Sequence, residues 1–356
     1  MSKKKIAILF GGVSSEHEVS RISASSIIAN IDESKYELIL IGITKSGEWF
    51  LYSGDLEDIK DGSWENHENN KRAFIVPDAS IGGILVLNNG KYEKINIDVI
   101  IPVLHGKNGE DGTIQGLFQL AGIPFVGCDT TSASGCMDKV FTNTILSYNN
   151  IKKPKFYWFF SYDFKNNSDK CIEDTDAFFE GKYPLFVKPA NAGSSVGVSK
   201  VNNKGELKKA FELAINEDNK IVIEQGIIGQ EVECAILGNS DPIASFVGEI
   251  AASADFYDYE DKYINGTSKL YIPAHIPENV AEEIRKTAIK AFKIMGCKGL
   301  SRVDFFVEKG TNKVFLNEIN TFPGFTSISM YPKLMEHFGI NFKTLIDKLI
   351  DLSLEK

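Results

Sequence analysis

Four side chains near the end of the chain have the types and spacing for metal and phosphate chemistry. The stretch 300–329 reads LSRVDFFVEKGTNKVFLNEINTFPGFTSIS. Two β-rich runs flank the turn cluster Lys309-Gly310-Thr311-Asn312, the pattern of an antiparallel hairpin. Arg302 and Asp304 fall on one face of the first strand, and Glu318 and Asn320 on one face of the second. An odd-numbered connection sets Asp304 opposite Glu318 and Arg302 opposite Asn320. Val303, Phe305, Val307, Phe315 and Ile319 then form the opposite face and are expected in the core. Two facing carboxylates repel, and a divalent cation removes that cost. Carboxylates with an amide oxygen are hard ligands suited to Mg²⁺ shared with substrate phosphates. The alternative is a solvated polar face.

Five further motifs offer chemistry of their own. Gly11-Gly12 follows an apolar run and leads through Glu16, His17 and Glu18 into a helical pattern. The glycines permit close backbone approach and the helix start is electropositive. Glu16 or Glu18 there can hold a substrate ammonium, or both are ordinary helix-start acids. The segment 105–116, HGKNGEDGTIQG, sits at the end of an expected strand, where open α/β sheets place ligands. His105 either touches substrate or packs at the strand end. In 187–198, VKPANAGSSVGV, Lys188 precedes a small-residue loop whose hydroxyls, including Ser194 and Ser195, and backbone donors suit phosphate oxygens. It is not a Walker P-loop. Lys139 is a second phosphate cation or a surface lysine. The run 224–231, EQGIIGQE, has the acids and exposed backbone to read an adenosine, or is a plain loop. The aromatic and charged run 255–263 suggests a lid that orders over substrate, against a surface excursion with partly buried rings.

The elements that must position these groups follow from the pattern. Strand-like runs at 6–10, 37–43 and 99–104 alternate with helical periodicity through Val19, Ile22, Ile27 and Ile28, an open α/β layout with a parallel sheet. A second unit, 128–223, has strands near 153–160, 183–188 and 220–224 and a helix over 205–217. The third, 224–356, has strands near 231–237 and 245–251, a helix over 278–295, the hairpin and a last helix from about Phe342. The polar, turn-rich segment 54–95 has no clear assignment. The 356 residues imply two or three domains. A net charge of −9 argues against nucleic-acid or membrane-surface partners. Five scattered cysteines without CxxC spacing fit reduced thiols rather than disulfides or zinc. With no apolar run near the ~18 residues of a membrane span and no signal-like start, a cytoplasmic protein is expected.

The motifs, in this order and ending in Pro323-Gly324-Phe325-Thr326-Ser327, resemble the D-alanine–D-alanine ligases of the ATP-grasp superfamily essentially end to end. HGxxGEDGTxQG and NExNTxPGFTSxS are the most specific parts. The resemblance implies a three-domain α/β ATP-grasp fold. An N-terminal Rossmann-like pre-ATP-grasp domain would span 1–127, a central domain 128–223, and a C-terminal domain 224–356 with the lid loop 253–270. ATP would lie between the last two. Lys139, Lys188 and the loop at Ser195 would hold phosphates. Glu224, the backbone near Ile227, and Glu231 would hold adenosine. Asp304, Glu318 and Asn320 would bind two Mg²⁺ ions, with Mn²⁺ an alternative. Glu16 would pair with the ammonium of the first D-alanine, Ser194 and Tyr263 would hydrogen-bond with Glu16, and Lys262 would reach the transferred phosphate. His105 would lie near the first amino acid and Ser329 at the carboxylate of the second. Arg302 and the Gly324 N–H would suit the oxyanion of the addition step.

The same resemblance bears on the acceptor. Vancomycin-resistance relatives, which make D-Ala–D-Ser or D-Ala–D-Lac, typically carry arginine after the serine equivalent to Ser329, whereas this chain has Met330. Met330 favours D-alanine, and Tyr263 disfavours the lactate type. Residues 41–49 and 323–327 read more like the serine-type branch. The expected activity is D-alanyl-D-alanine formation for peptidoglycan precursor, with a D-alanine–D-serine ligase and a non-catalytic ATP- or amino-acid-binding regulator as alternatives. The partners implied are D-alanine and ATP in a homodimer, with no nucleic acid and no membrane.

Overall fold

The computed structural model describes residues 3–251 and 269–355. The apolar run near the N-terminus is the strand Lys4–Gly11, with Ile6 to Phe10 wholly buried. It is covered on both faces, so it is apolar throughout instead of alternating. Tyr36–Ile43 and Val99–Pro102 flank it in parallel. From one edge, the seven strands run Lys91–Asn96, Gly83–Asn88, Lys71–Ile75, Trp49–Tyr52, Tyr36–Ile43, Lys4–Gly11 and Val99–Pro102.

The sheet is mixed, not wholly parallel as the open α/β pattern predicts. Only the last three strands of this order are parallel, and the rest pair antiparallel. Three of the four added strands come from the unassigned 54–95 segment, and the fourth, Trp49–Tyr52, lies just before it. Its last hairpin turns at Asn89 and Gly90, both at positive φ, which is the Asn-Gly signal for a tight turn. Trp64 is fully buried over Gly42, where a Cβ would lie 2.1 Å from its ring.

The second sheet is antiparallel, in the order Ser199–Val201, Leu185–Pro189, Lys220–Gln225, Phe156–Phe160. The helix Leu207–Glu217 buries Leu207, Ala210, Phe211 and Ala214 in its core. The third sheet runs Lys269–Tyr271, Ile243–Ala251, Gly229–Gly238, Gly299–Glu308, Val314–Asn320. On it lies the helix Glu278–Ile294, through Val280, Ile284, Ala288, Ala291 and Phe292. Cys136 and Leu146, from the helices Thr130–Met137 and Lys139–Tyr148, join this same core. The helices Met330–His337 and Phe342–Ser353 bury Tyr331, Leu334, Leu345 and Leu349 in one core with Ile6, Ile8 and Phe10. The chain from Thr321 to Ser329 is therefore clamped between the first and third sheets. Among the described residues no helix is long and apolar enough to cross a membrane.

Candidate active site

The hairpin forms in the expected register at its polar end: Arg302 faces Asn320 and Asp304 faces Glu318. Beyond that pair the register shifts, and Phe305 faces Leu316. Asn317 is thus the extra residue of a β-bulge, a device that re-aims side chains near sites. The bulge reverses the facing of the strand before it. Val303, Phe305, Val307 and Ile319 are core as expected, but Leu316 and not Phe315 completes that face. Phe315 turns out, with the Lys152 ammonium 5.7 Å from its ring centre. Lys153, buried and pushed down to about 8 by desolvation, donates to the Asn317 carbonyl. It satisfies the polar group that the bulge takes out of the ladder.

A cavity of about 1020 Å³ opens over this hairpin. Glu16, His105, Lys139, Lys188, Ser194, Ser195, Glu224, Ile227, Glu231, Arg302, Glu318, Asn320, Gly324, Ser329 and Met330 all line it. The fold thus brings together residues from all three sheets. Asp304 lies just behind the wall. Arg302 covers it, donating from Nε and Nη2 at 2.8 and 2.7 Å, and Asn320 Nδ2 donates to it at 2.9 Å. The Arg302 pKa is raised: burial opposes the charge, and Asp304 and Glu233 outweigh burial. Tyr263 and Lys262, and the lid expected at 253–270 apart from its last two residues, lie outside the described residues.

The donor chemistry on the hairpin fits a divalent cation. Two opposed carboxylates and an amide oxygen are hard oxygen ligands, drawn here to one end of a rigid strand pair. The same cavity is lined by Lys139 and Lys188, both half-buried. Lys188 Nζ is 2.7 Å from Glu224 Oε2, and Asn143 Nδ2 donates to Glu224 Oε1 at 2.7 Å. Burial alone would push the Glu224 carboxyl up, but Lys188 and Lys153 hold it down at about 2. Lys139 donates to the Ala192 carbonyl at 2.7 Å, and desolvation lowers its pKa. The loop that carries this carbonyl bends through Ser194 and Ser195, consecutive non-glycine residues at positive φ. Such strain is characteristic of ligand clamps, and it exposes small side chains and backbone donors to the cavity.

Glu16 precedes the helix His17–Asn30 and is held at the opposite side of the cavity. Ser194 Oγ donates to its Oε1. Gly106 and Gly193 leave room for it, since a Cβ on them would lie 2.3 and 2.8 Å from Glu16 Oε2. Gly106 is also at φ +69°. Gly106→Ala should displace Glu16 and raise the KM of the first amino acid, with activity down by about 10²-fold. Steady-state kinetics with a folded variant measures this; an unchanged KM would remove Glu16 from ammonium binding.

His105 is buried, with Nδ1 3.2 Å from the Phe322 carbonyl and Nε2 3.1 Å from Ser23 Oγ. Ser23 Oγ also accepts from Phe325 N at 3.2 Å. His105 is thus a strut between the first sheet's helix and the 321–329 segment, while still lining the cavity. Burial lowers its pKa but Glu110 outweighs this, and the net direction is up. Ser329 Oγ accepts from Thr326 N at 3.0 Å, and a Cβ on Gly324 would come within 2.9 Å of it. Met330 is buried against Gly248, where a Cβ would sit 2.8 Å from its sulfur.

Sequence reasoning missed Asn143, Lys153 and Glu233. Asn143 and Lys153 were hidden because their partners are distant in the chain. Glu233 had a local signal: it is two residues from Glu231 and shares its face of the strand.

A mixed sheet followed by two antiparallel sheets, enclosing a cavity of lysines, carboxylates and a small-residue loop, is the architecture of an ATP-grasp enzyme. Residues 5–128 match the family described as D-ala D-ala ligase N-terminus, and residues 145–351 the one described as D-ala D-ala ligase C-terminus. The chain belongs to the D-alanine–D-alanine ligase family. It is 49% identical to the D-alanine–D-alanine ligase of Caldicellulosiruptor bescii over 356 residues, covering 100% of this chain and 96% of the relative. Among solved structures, the VanG D-Ala:D-Ser ligase from Enterococcus faecalis superposes with a TM-score of 0.90 at 43% identity, covering 99% of this chain and 100% of that one. The D-alanine–D-alanine ligase from Coxiella burnetii gives 0.84 at 34% identity, covering 99% and 95%.

Proposed function

We propose that this chain joins two D-alanines at the expense of ATP, through a D-alanyl phosphate, to supply D-alanyl-D-alanine for peptidoglycan. The observation that supports the reading is the convergence on one cavity of Glu16, Lys139, Lys188, Arg302, Glu318 and Asn320, with Asp304 held behind Arg302. Glu16, oriented by Ser194, holds the first D-alanine by its ammonium. Lys139, Lys188 and the Ser194–Ser195 loop hold the phosphates, while Glu224, the Ile227 backbone and Glu231 hold adenosine. The D-alanine carboxylate takes the γ-phosphoryl group, releasing ADP, a step driven by positioning and charge neutralisation. The amine of the second D-alanine then adds to the acyl carbon, and phosphate leaves. Arg302 and the Gly324 N–H stabilise the oxyanion of that addition. Asp304, Glu318 and Asn320 are the ligands for two Mg²⁺ ions, or Mn²⁺, which neutralise the nucleotide phosphates when bound. Tyr263 bonding to Glu16 to close a lid, Lys262 reaching the transferred phosphate, the domain limits 1–127, 128–223 and 224–356, a homodimer and a cytoplasmic location complete the reading. The complete set of four hairpin residues weighs against a non-catalytic regulator, which needs no oxyanion group.

A D-serine acceptor is the second reading, favoured by the 43% identity to the D-Ala:D-Ser ligase. Met330 weighs against it. Its thioether, packed on Gly248, is a poor partner for an acceptor hydroxyl, whose burial without a hydrogen bond is costly. With equal D-alanine and D-serine, ATP and Mg²⁺ at neutral pH, D-Ala–D-Ala is expected to predominate in the product. Predominant D-Ala–D-Ser would overturn the assignment of acceptor.

A further inference from the structure

Glu233 is buried and lines the cavity, yet the reaction as described gives it no task. It stands opposite Asp304 on one side, as Glu318 stands opposite Asp304 on the other. Three carboxylates therefore form a row across three adjacent strands on one face. Arg302, two residues from Asp304 on that face, is the guanidinium among them. Its Nε is 3.0 Å from Glu233 Oε2, while Nε and Nη2 also reach Asp304. Arg302 thus has two carboxylates where one suffices for an ion pair. Asp304, behind Arg302, is also the acid assigned above to the metal. Arg302 and Asn320 already donate to both oxygens of Asp304, so a cation at Asp304 competes with Arg302 for it, and a buried guanidinium that loses its carboxylate is strongly unfavourable.

We propose that Glu233 is a positioning residue that holds Arg302 in place when Asp304 turns from the guanidinium to a divalent cation. Metal loading and the presentation of Arg302 to the oxyanion are then one exchange of ion pairs: Asp304 passes from Arg302 to the cation, and Arg302 passes to Glu233. Without Glu233, Arg302 stays on Asp304 and competes with the metal. The inference rests on the metal and oxyanion roles proposed above.

Mn²⁺ titration with ADP present, read by the electron paramagnetic resonance of free Mn²⁺, tests it. Glu233→Gln is expected to weaken Mn²⁺ binding roughly tenfold, and Arg302→Met to tighten it. The double variant should match Arg302→Met alone, a coupling typical of groups in one network. If Glu233→Gln weakens Mn²⁺ equally in both backgrounds, the effect is a through-space loss of negative charge and the exchange is wrong. Unchanged Mn²⁺ affinity in Glu233→Gln also overturns it. In turnover, Glu233→Gln should lower kcat with the KM for D-alanine retained, and Glu233→Asp should restore much of kcat. Should Glu233→Gln fail to fold, Glu233→Asp carries the test, with a smaller loss of Mn²⁺ affinity expected and none overturning the proposal. A wild-type enzyme that binds Mn²⁺ but makes no dipeptide would overturn the functional reading, whereas wild-type turnover with no Glu233 effect would overturn only this one.

Discussion

Arg302→Met is expected to lower kcat for dipeptide formation by roughly 10²–10³-fold, the usual cost of removing an oxyanion donor. The expectation follows from where the side chain sits. Arg302 lines the cavity with Gly324 and is tied to Asp304 and Glu233. Held by these acids, it is aimed before the addition step, and a preorganised charge needs no reorganisation in that transition state. The KM for ATP should change little, because Lys139 and Lys188 are the proposed phosphate cations. Arg302→Lys keeps the charge but cannot make the two parallel bonds to Asp304, and should fall between wild type and Arg302→Met. Loss of ATP affinity with normal kcat would instead place Arg302 on the nucleotide. Because Arg302→Met also leaves two buried acids facing each other, the assay needs saturating Mg²⁺ and a melting curve alongside.

The second large effect is on stability. Lys188→Met strips Glu224, a carboxylate 4% exposed, of its closest cation. Breaking a buried pair from one side costs about 3–5 kcal/mol, because a charge is left unpaired. Glu224 keeps the Asn143 amide and the more distant Lys153, so a loss at the lower end is expected. The sign of the pH dependence follows from linkage. In the wild type the Glu224 carboxyl is held at about 2, below its ordinary 4.5. Its contribution is complete above the ordinary value and is lost as pH falls toward the depressed one. The gap between wild type and Lys188→Met should therefore be widest near neutral pH and close in acid. Urea unfolding at neutral pH and at about pH 3.5 measures it. Adding Glu224→Gln to Lys188→Met should recover most of the stability, since no buried charge then lacks a partner. A gap that persists unchanged in acid would mean that lost packing of the lysine stem, not the ion pair, carries the effect.

How much of this was legible depended on whether the signal was local. The hairpin register was readable because Arg302, Asp304, Glu318 and Asn320 obey the two-residue period about a short turn. The misplacement of Phe315 came from that same period. One inserted residue, Asn317, inverts the facing of everything before it, and no local pattern marks it. Its anchor, Lys153, is far away in the chain. The segment 54–95 was opaque because its outer strand, Lys91–Asn96, is largely exposed and carries lysines, as edge strands do. It therefore lacks the apolar alternation that reveals a strand. Asn89-Gly90 was the one usable cue. The helix Met330–His337 was also missed: eight residues containing Pro332 give little periodicity. That helix starts directly after Ser329 and buries Met330, the two residues proposed to meet the acceptor. The Glu16 corner illustrates the opposite case. The glycines of 105–116 announced special backbone angles, and Gly106 proves to be where the carboxylate of Glu16 needs the space.

The central claim is that one cavity activates a D-alanine carboxylate as an acyl phosphate and then ligates it. D-Alanine labelled with ¹⁸O in its carboxylate, turned over with ATP and Mg²⁺, tests this most directly by mass spectrometry of the phosphate released. Expected are D-alanyl-D-alanine and, for each dipeptide formed, one carboxylate oxygen transferred to inorganic phosphate. Phosphate released without label, or ATP consumed without dipeptide, would contradict it.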